Sequence, residues 1–445
     1  MTARDLLGVA RQCGADPESL TLITRQTSYT LAGLEVAVDE RVEALRGEGA
    51  QPGYVHAFVV EPDEEGVLTL LALWRLGASP APLNPRLTER EVAGARQALD
   101  GLPGNGAQAV LWTSGTAGNP RGVALSFEGL AANAQASRQR LGLALTDQWL
   151  ATLSLAHVGG LALVMRALFL GSGLVAYGRL RAEEISSLVD GPEAPPVGVN
   201  TPVTHLSLVP TQLLRLLDYR AGRPPPETFR CLLLGGAHTP QALLDRALLA
   251  GWPVALTYGM TEMSSQVATA APESVRRKPG SAGRPLEGVE VQVASDEEIL
   301  VRGPTQALSY LGVDSPLVDA QGWYHTGDLG RVDEDGDLWI TGRRSDRIVS
   351  GAVNVDSTEV EESLREHPAV RDVCVVGVPD AEWGEIVAAW VVPVEGEFDL
   401  DEVEAWLRER LAGPKRPRRW VVETEVPLNA NGKADRALVR ELMQS

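Results

Sequence analysis

Short apolar runs alternate with helix-patterned segments over most of the chain, and this alternation restricts the possible fold more than any other feature. Tyr54–Val60 has the character of a strand, and Gly66–Gly77 has helical spacing and a terminal glycine. Leu206–Val209, Cys231–Leu234 and Pro253–Leu256 are further apolar runs bounded by turn residues. Strands that alternate with helices favour an α/β layer built on a mostly parallel sheet.

The pattern changes after Gly280. Shorter strand-like segments with Gly and Asp turns, such as Val289–Val293 and Asp337–Ile340, indicate a β-rich subdomain. A polar, charged stretch then separates it from a compact α+β segment. The predicted fold is therefore α/β, with a large N-terminal domain of mostly parallel αβα layers plus the β-rich subdomain, and a small mobile α+β C-terminal domain. The predicted boundaries are 1–342 for the first domain, 343–346 for a hinge and 347–445 for the C-terminal domain.

The charge balance limits the partners of the protein. The chain carries 59 acidic and 40 basic residues, a formal net charge of −19. Nucleic-acid binders have a basic surplus or a basic stripe, so we expect no nucleic-acid partner and no stable membrane association. The three cysteines are widely separated, form no metal-ligand motif and fit a reducing cytoplasm.

One apolar stretch, Val158–Gly178, has about the length of a membrane-spanning helix. Arg166 lies near its middle, and Gly171 and Gly173 interrupt its second half. We therefore predict a buried helix, a turn and a buried strand here rather than a membrane span.

The strongest chemical signal is a turn rich in glycine and hydroxyl residues, Thr113–Gly122, which follows a strand-like run. Backbone N–H groups and hydroxyls packed this densely can face an anion, because glycine allows close approach of the backbone. The pattern GxxxxGK[ST] of a P-loop is absent. A phosphate-binding loop is the predicted interpretation, and an ordinary surface turn is the alternative.

Three weaker motifs follow in order. Tyr258–Glu262 comes after a buried strand and offers an aromatic ring, a hydroxyl and a carboxylate. Trp323–Asp328 precedes Gly342–Arg343 and offers a carboxylate suited to ribose hydroxyls, while a capped turn is the alternative. Pro427–Lys433 places a lysine on a glycine turn, where it is either a mobile charge for the site or an ordinary solvated lysine.

In this order and spacing, the four motifs resemble those of the adenylate-forming superfamily of acyl-CoA synthetases, luciferases and peptide-synthetase adenylation domains. Pro82–Asn84, Gly235–Ala237 and Lys278–Gly283 extend the resemblance over almost the whole chain. It implies an AMP-forming acid–thiol ligase. A carboxylate and ATP give acyl-AMP and pyrophosphate, and a thiol, expected to be that of coenzyme A, then displaces AMP.

The resemblance also implies roles for individual residues. The catalytic residues would be Lys433, His157 and Thr261. The ATP-binding residues would be Thr113, Ser114, Gly115, Thr116, Ala117, Gly118, Arg121, Gly236, Ala237, Tyr258, Gly259, Thr261, Asp328, Arg343 and Lys433, with Arg121 where the family usually has lysine. Glu262 would bind Mg²⁺, and Gly351 and Ala352 would contact coenzyme A. As a basic residue, Lys415 could also contact the coenzyme A phosphates, and a solvated basic turn is the alternative.

The acid is indicated by Leu155–Ala162, which contains His157. This segment resembles the aromatic-carboxylate and acyl-CoA branch of the superfamily. Together with the short chain and Gly342–Asp346, it is most similar to the o-succinylbenzoate–CoA ligases of menaquinone biosynthesis, in which such a histidine lies by the acyl pocket. The alternative for His157 is a buried, hydrogen-bonded core histidine. No aspartate between Trp149 and Tyr177 is present to pair an α-ammonium group, so an amino-acid substrate is disfavoured. The expected acid is 2-succinylbenzoate. Another aryl or acyl acid, a non-catalytic nucleotide-binding relic and a homo-oligomeric state stay open.

Overall fold

The computed structural model describes residues 4–12, 15–113, 121–191, 202–312, 316–350, 353–394, 398–429 and 433–444. The chain forms two compact units. The first comprises Met1–His238, Asp245–Val291 and Val301–Tyr324, and the second comprises Thr239–Leu244, Gln292–Leu300 and His325–Ser445. The predicted hinge at 343–346 and the domain boundaries beside it remain predictions.

The elements follow the alternation expected from the sequence. The helices are α1 Leu6–Gln12, α2 Leu31–Gly47, α3 Glu64–Leu76, α4 Glu89–Leu99, α5 Phe127–Leu141, α6 Val158–Val164, α7 Ala182–Asp190, α8 Pro210–Arg220, α9 Gln241–Leu249, α10 Pro272–Arg277, α11 Ser357–Arg365, α12 Leu400–Arg410 and α13 Arg436–Gln444. A π-helix spans Met165–Phe169, and short 3₁₀ helices span Thr261–Met263, Arg344–Asp346 and Gly413–Lys415.

The strands are β1 Leu20–Thr24, β2 Ser28–Thr30, β3 Val55–Val59, β4 Ser79–Leu83, β5 Ala107–Thr113, β6 Arg121–Ser126, β7 Gln148–Leu150, β8 Gly173–Ala176, β9 His205–Leu208, β10 Cys231–Gly235, β11 Val254–Met260, β12 Ser265–Ala270, β13 Glu290–Val293, β14 Glu298–Arg302, β15 Ser309–Leu311, β16 Tyr324–Val332, β17 Leu338–Arg343, β18 Arg347–Ser350, β19 Val353–Asp356, β20 Val370–Asp380, β21 Gly384–Pro393 and β22 Arg419–Val422.

An eight-stranded sheet of order β12-β11-β10-β9-β7-β8-β1-β2 organises the first unit. Its inner pairs, from β11 through β1, are parallel, while β12 and β2 pair antiparallel at the two edges. A smaller antiparallel sheet contains β15, β6 and β5, and β3 pairs parallel with β4. The sheet is the mostly parallel one that the sequence predicts. Its inner strands are near-continuous apolar runs because both faces are covered.

The apolar stretch Val158–Gly178 folds as predicted into α6, the π-helix, a turn and the buried strand β8. Its residues from Gly160 to Leu168 are buried, and most of the apolar ones belong to the main hydrophobic core. Among the described residues, no helix combines the length and the apolar character needed to cross a bilayer.

The second unit contains the predicted β-rich and α+β parts. Strands of the sheet β13-β14-β16-β17 lie mostly in it, and a five-stranded sheet has the order β19-β18-β21-β20, with β22 pairing parallel to β21. Val360 and Leu364 of α11, with Val403 and Leu407 of α12, pack against one face of this sheet. The other face buries Val439 and Met443 of α13. The C-terminal segment therefore has a core of its own.

A buried ion network fastens α13 to this core. Glu361 is only 3% exposed and accepts hydrogen bonds from the Val375 N–H at 2.8 Å and from the Arg436 guanidinium at 2.7 Å. Arg436 also donates to the Val375 carbonyl at 2.6 Å and lies 3.3 Å from the Asp346 carboxylate. Burial alone would raise the pKa of Glu361, but the charges of Arg436 and Arg365 lower it. The network fixes the start of the helix that follows Lys433.

Replacing Arg436 should show how much its charge stabilises the buried Glu361 carboxylate. We expect Arg436→Met to destabilise the C-terminal segment by ~3 kcal/mol, because Glu361 stays buried with a weaker partner. Arg408→Met removes an exposed pair with Glu404 at 2.9 Å and should cost less than about 0.5 kcal/mol. Denaturant unfolding, with hydrogen exchange to localise the loss, measures both changes. Equal stability of the two variants would contradict the prediction.

Candidate functional site

The predicted adenine-binding residues lie at the carboxyl ends of two neighbouring parallel strands. β10 ends at Gly235, which is opposite Thr257 of β11, so Gly236 and Ala237 follow one strand where Tyr258 continues the next. Gly236, the first residue after β10, has φ of +82°, a conformation that favours glycine. The carboxyl edge of a parallel sheet is where α/β enzymes bind ligands.

The fold itself requires glycine at position 259. A Cβ atom at this position would lie 2.0 Å from the Ser265 carbonyl oxygen of the neighbouring antiparallel strand. The pairing of β11 with β12 therefore requires glycine here, whether or not Gly259 contacts ATP.

The turn that carries Thr261 and Glu262 is a single 3₁₀ turn between β11 and β12. The two residues after it, Ser264 and Ser265, have φ values of +53° and +116°, which non-glycine residues rarely adopt. Backbone strain of this kind is retained where surrounding contacts fix it, and it clusters at functional sites. Here it reverses the chain within the space of one turn and leaves the Glu262 carboxylate at the sheet edge.

Two tyrosines that the sequence analysis did not assign surround this carboxylate. The Tyr310 hydroxyl donates to Glu262 Oε1 at 2.9 Å and lies 3.2 Å from the Tyr324 hydroxyl. Burial, together with the Glu262 charge, raises the pKa of Tyr310 to about 12 and also raises the pKa of Tyr324. Both phenols therefore stay protonated at neutral pH and can donate.

The predicted phosphate loop is only partly described. Its flanking strands pair Trp112 with Gly122 and Thr113 with Arg121, so the hairpin is closed at its base. Ser114, Gly115, Thr116, Ala117 and Gly118 lie outside the described residues. The Arg121 guanidinium lies over the Tyr310 ring, with its central carbon 5.4 Å from the ring centroid. This places a fixed cation next to the tyrosine that contacts Glu262.

His157 is the residue immediately before α6. Its Nε2 lies 3.2 Å from the Asn84 side-chain nitrogen, and since an amide nitrogen only donates, Nε2 accepts and the ring proton is on Nδ1. Asn84 is itself oriented by the Arg86 N–H, which donates to its oxygen at 3.0 Å. His157 is thus held by a residue of the Pro82–Asn84 motif.

The sequence analysis did not identify Arg166, a buried cation, as a functional candidate. Arg166 in the π-helix is 2% exposed and donates to the Gln266 side-chain oxygen at 2.9 Å. Its guanidinium lies 5.0 Å from the Trp149 ring centroid, and its Nε has no hydrogen-bond partner. Within the described part of the chain, no carboxylate forms an ion pair with it. Burial lowers the pKa of Arg166 to about 10, so it remains charged. The signal was present in the sequence as a lone arginine within an apolar run.

In the second unit, Asp328 and Arg343 lie directly opposite each other on β16 and β17. Arg343 Nε is 3.5 Å from the Asp328 carboxylate. The Asp328 N–H donates to the Thr326 hydroxyl at 3.0 Å, and Thr326 donates to the Ile299 carbonyl at 2.7 Å. The two residues predicted to bind ribose are therefore brought together by strand pairing.

Glu298 holds the neighbouring residues of β16 in place. It is 8% exposed, accepts from the Gly327 N–H at 2.9 Å and lies 3.2 Å from His325 Nδ1. Arg344, within the predicted hinge, donates to Glu298 at 3.2 Å and to Asp296 at 2.7 Å. One carboxylate thus orders the part of β16 that carries Asp328 and contacts the predicted hinge.

Lys433 also lies in the second unit, where its backbone is hydrogen-bonded to Asn429. Its N–H donates to the Asn429 side-chain oxygen at 3.2 Å, and its carbonyl accepts from the Asn429 N–H at 2.8 Å. Desolvation and the positive charge of Arg343 lower the pKa of Lys433, while the negative charge of Asp328 opposes them. The predicted catalytic lysine is therefore in electrostatic range of the predicted ribose site.

The predicted coenzyme A contacts are the least defined. Gly351 and Ala352 lie outside the described residues. The Lys415 ammonium donates to both carboxylate oxygens of Glu359, at 2.6 and 2.7 Å. An anionic ligand at Lys415 would have to compete with that carboxylate.

The donor set at Glu262 fits the predicted metal. Mg²⁺ is bound in proteins through one or two carboxylates together with substrate phosphates and waters. Glu262, which accepts from Tyr310 at one carboxylate oxygen, is a hard oxygen ligand of the type that Mg²⁺ prefers. A second acidic group, Asp333, Asp335 and Asp337, lies on the turn between β16 and β17, between the Trp323–Asp328 and Gly342–Arg343 motifs in sequence.

Two family models match the chain. The AMP-binding enzyme family matches residues 102–311, and the AMP-binding enzyme C-terminal domain matches residues 359–433. The first range contains the glycine-rich turn, Glu262 and Tyr310. The second ends at Lys433.

Curated proteins and solved structures point the same way. The chain is 37% identical over 349 residues to the 2-succinylbenzoate–CoA ligase of Bacillus cereus strain Q1, covering 76% of this chain and 70% of that protein. It is 31% identical to the ligase of the same name from Geobacillus sp. strain WCH70, with 96% of this chain and 95% of that protein covered.

The o-succinylbenzoate–CoA synthetase of Bacillus subtilis with its acyl-adenylate intermediate has a TM-score of 0.87 and 29% identity, over 99% of this chain and 98% of that one. The complex of that synthetase with ATP and magnesium ion has a TM-score of 0.88 and 28% identity, with both chains fully covered. The chain therefore belongs to the AMP-binding enzyme family of adenylate-forming acid–CoA ligases.

Proposed function

We propose that this AMP-forming ligase joins 2-succinylbenzoate to coenzyme A in menaquinone biosynthesis. In the first half-reaction, a carboxylate oxygen attacks the α-phosphorus of ATP and the bond to pyrophosphate breaks. In the second, the thiol of coenzyme A attacks the acyl carbonyl, loses its proton and displaces AMP. The relatives named 2-succinylbenzoate–CoA ligase match most of this chain and support the choice of acid.

The single observation in the structure that favours this acid is the buried charge of Arg166. An unpaired buried cation is costly, so a fold that retains one has a use for it. 2-Succinylbenzoate has two carboxylates, and the one that is not activated stays anionic throughout the reaction. A cation such as Arg166, ordered by Gln266 and Trp149, suits that second anion. Benzoate and simple fatty acids have no such group.

The remaining residues divide the work by charge. The two reactants of the first step are both anions, so the site must offset their repulsion. Lys433 would bridge the attacking carboxylate and the α-phosphate, and Arg121 would contact the outer phosphates with Ser114–Gly118. Glu262 would hold Mg²⁺, which when bound neutralises charge on the triphosphate. Thr261 would contact the α-phosphate.

Two groups of residues would bind the nucleoside. Tyr258 would stack on adenine beside Gly236 and Ala237, and Asp328 would accept the ribose hydroxyls with help from Arg343. His157, oriented by Asn84, would lie on the acyl side. Gly351 and Ala352 would face coenzyme A. The buried reduced thiols of Cys231 and Cys374 suit a cytoplasmic enzyme.

The choice of acid is tested by pyrophosphate release over a panel of 2-succinylbenzoate, benzoate and medium-chain fatty acids. We expect 2-succinylbenzoate to be preferred, and Arg166→Met to lower its kcat/KM by ~10²-fold, because one partner of a buried charge pair is lost. Benzoate should change less. Activity with fatty acids alone would overturn the proposal, and no release with any acid would favour a nucleotide-binding relic.

Arg220→Met is the matched control. Arg220 is also a buried arginine, 3% exposed, with its guanidinium 5.3 Å from the Trp252 ring centroid, but it is paired with Asp190 at 2.9 Å. Its replacement should leave the ratio of kcat/KM between 2-succinylbenzoate and benzoate unchanged. An equal change of the ratio in both variants would show that Arg166 acts through the fold.

Lys433→Ala should separate the two half-reactions. We expect adenylate formation to fall by ~10²-fold or more, because the charge between two anions is removed. Thioester formation from preformed acyl-adenylate should change little, since that step has no triphosphate. Single-turnover assays of each half-reaction measure the two effects. Equal loss in both would contradict a role confined to adenylation.

The lowered pKa of Lys433 should appear in the pH profile of adenylation. The kcat/KM for ATP reports the free enzyme, so it should fall as pH rises through a pKa below that of an ordinary lysine. Lys433→Arg keeps its charge over this range and should lack the falling limb, even if its rate is lower. Pyrophosphate release measured from neutral to alkaline pH tests this. A falling limb at the same pH in both proteins would assign it to another group.

A further inference from the structure

Tyr310 contacts two groups that the proposed function places on the same triphosphate. Its hydroxyl donates to Glu262 Oε1 at 2.9 Å, and its ring lies beneath the Arg121 guanidinium at 5.4 Å. It sits on β15, where it is opposite Val123 of β6, the strand that begins with Arg121. The Ala307 N–H, three residues before Tyr310, donates to the Glu262 carbonyl at 2.8 Å. One segment therefore fixes both the main chain and the side chain of Glu262.

The direction of the hydrogen bonds follows from proton counting. An ionised carboxylate only accepts, so the single Tyr310 proton goes to Glu262. Tyr310 then has no second proton for Tyr324, whose hydroxyl lies 3.2 Å away. Tyr324 is also hydrogen-bonded to Glu262, which helps to raise the pKa of Tyr324. Both phenols therefore lie on one carboxylate, and the Tyr310 hydrogen bond limits the orientations open to it.

We infer that Tyr310 is a positioning residue for the nucleotide: its hydroxyl orients Glu262 toward the metal and its ring orients Arg121 toward the phosphates. The inference rests on the proposed roles of Glu262 and Arg121. Residues that hydrogen-bond to metal ligands orient them and contribute to metal affinity although they do not touch the metal. A cation over an aromatic face is likewise held in place.

Two substitutions separate the two contacts. Tyr310→Phe keeps the ring beneath Arg121 and removes the hydroxyl, whereas Tyr310→Leu removes both. Tyr29→Phe is the matched control, because the Tyr29 hydroxyl donates to Glu64 at 2.8 Å in the same unit, far in sequence from every predicted motif. Circular dichroism and the thermal midpoint establish that each variant is folded.

The main measurement is ATP binding by isothermal titration calorimetry, with Mg²⁺ and with EDTA. The ratio of the two affinities is the gain due to the metal. We expect Tyr310→Phe to reduce this gain by ~10-fold while ATP affinity in EDTA is unchanged. Tyr310→Leu should also lower the affinity in EDTA by about 3-fold, because Arg121 loses its aromatic support. Tyr29→Phe should match the wild type in both conditions.

A double-mutant comparison makes the assignment specific. In a Glu262→Gln background, Tyr310→Phe should have no further effect on the gain due to Mg²⁺, because both changes act on one contact. An additive effect would overturn the inference. So would a wild-type gain in Tyr310→Phe alone. If the wild type itself shows no gain with Mg²⁺, the metal role of Glu262 fails together with this inference. If the gain is present but no acid releases pyrophosphate, the acid assignment fails while the role of Tyr310 stands.

Discussion

Repulsion between like charges is the constraint on which the rest of this structure depends. The proposed reaction requires a carboxylate to approach a triphosphate, in a chain whose own net charge is −19. Bulk charge gives no attraction for such substrates, so positive charge has to be placed locally. Arg121 and Arg166 lie in the first unit, and Arg343 and Lys433 in the second. Each is held by an identified neighbour, respectively Tyr310, Gln266, Asp328 and the Asn429 loop.

These cations are stabilised in different ways. Arg343 and Lys433 face a carboxylate, Asp328, whose negative charge lessens the cost of bringing two positive groups near each other. Arg166 has no carboxylate partner among the residues that the structure describes, and it is instead stabilised by an amide oxygen and an aromatic face. A buried ion pair such as Glu361–Arg436 serves the fold, because both charges are already satisfied. An unpaired buried cation is better explained by a ligand. This contrast separates structural from functional charges in the same molecule.

Sheet topology supplies the positions at which these groups act. Parallel strands β10 and β11 end side by side, which brings Gly236, Ala237 and Tyr258 to one edge although more than twenty residues separate them. The strained backbone at Ser264 and Ser265 then returns the chain as β12, which begins at Ser265, soon after Glu262. Tyr310, with Tyr324 beside it, sets the orientation of the Glu262 carboxylate. The precision of the candidate site thus comes from residues that contact the proposed ligands only indirectly.

The sequence by itself determined the class of fold and most of the candidate residues. Apolar periodicity is local, so the strands around Leu206, Cys231 and Val254 and the buried helix–turn–strand at 158–178 could be predicted from it. Ordered motifs such as Tyr258–Glu262 identified the family for the same reason, since they are contiguous. Only the tertiary structure decided how Tyr310 meets Glu262 across 48 residues, or Arg166 meets Gln266 across 100. Such contacts depend on strand order and side-chain packing, which no local pattern encodes. A tyrosine on a short strand and an arginine in an apolar run acquire a role only when the fold supplies their neighbours.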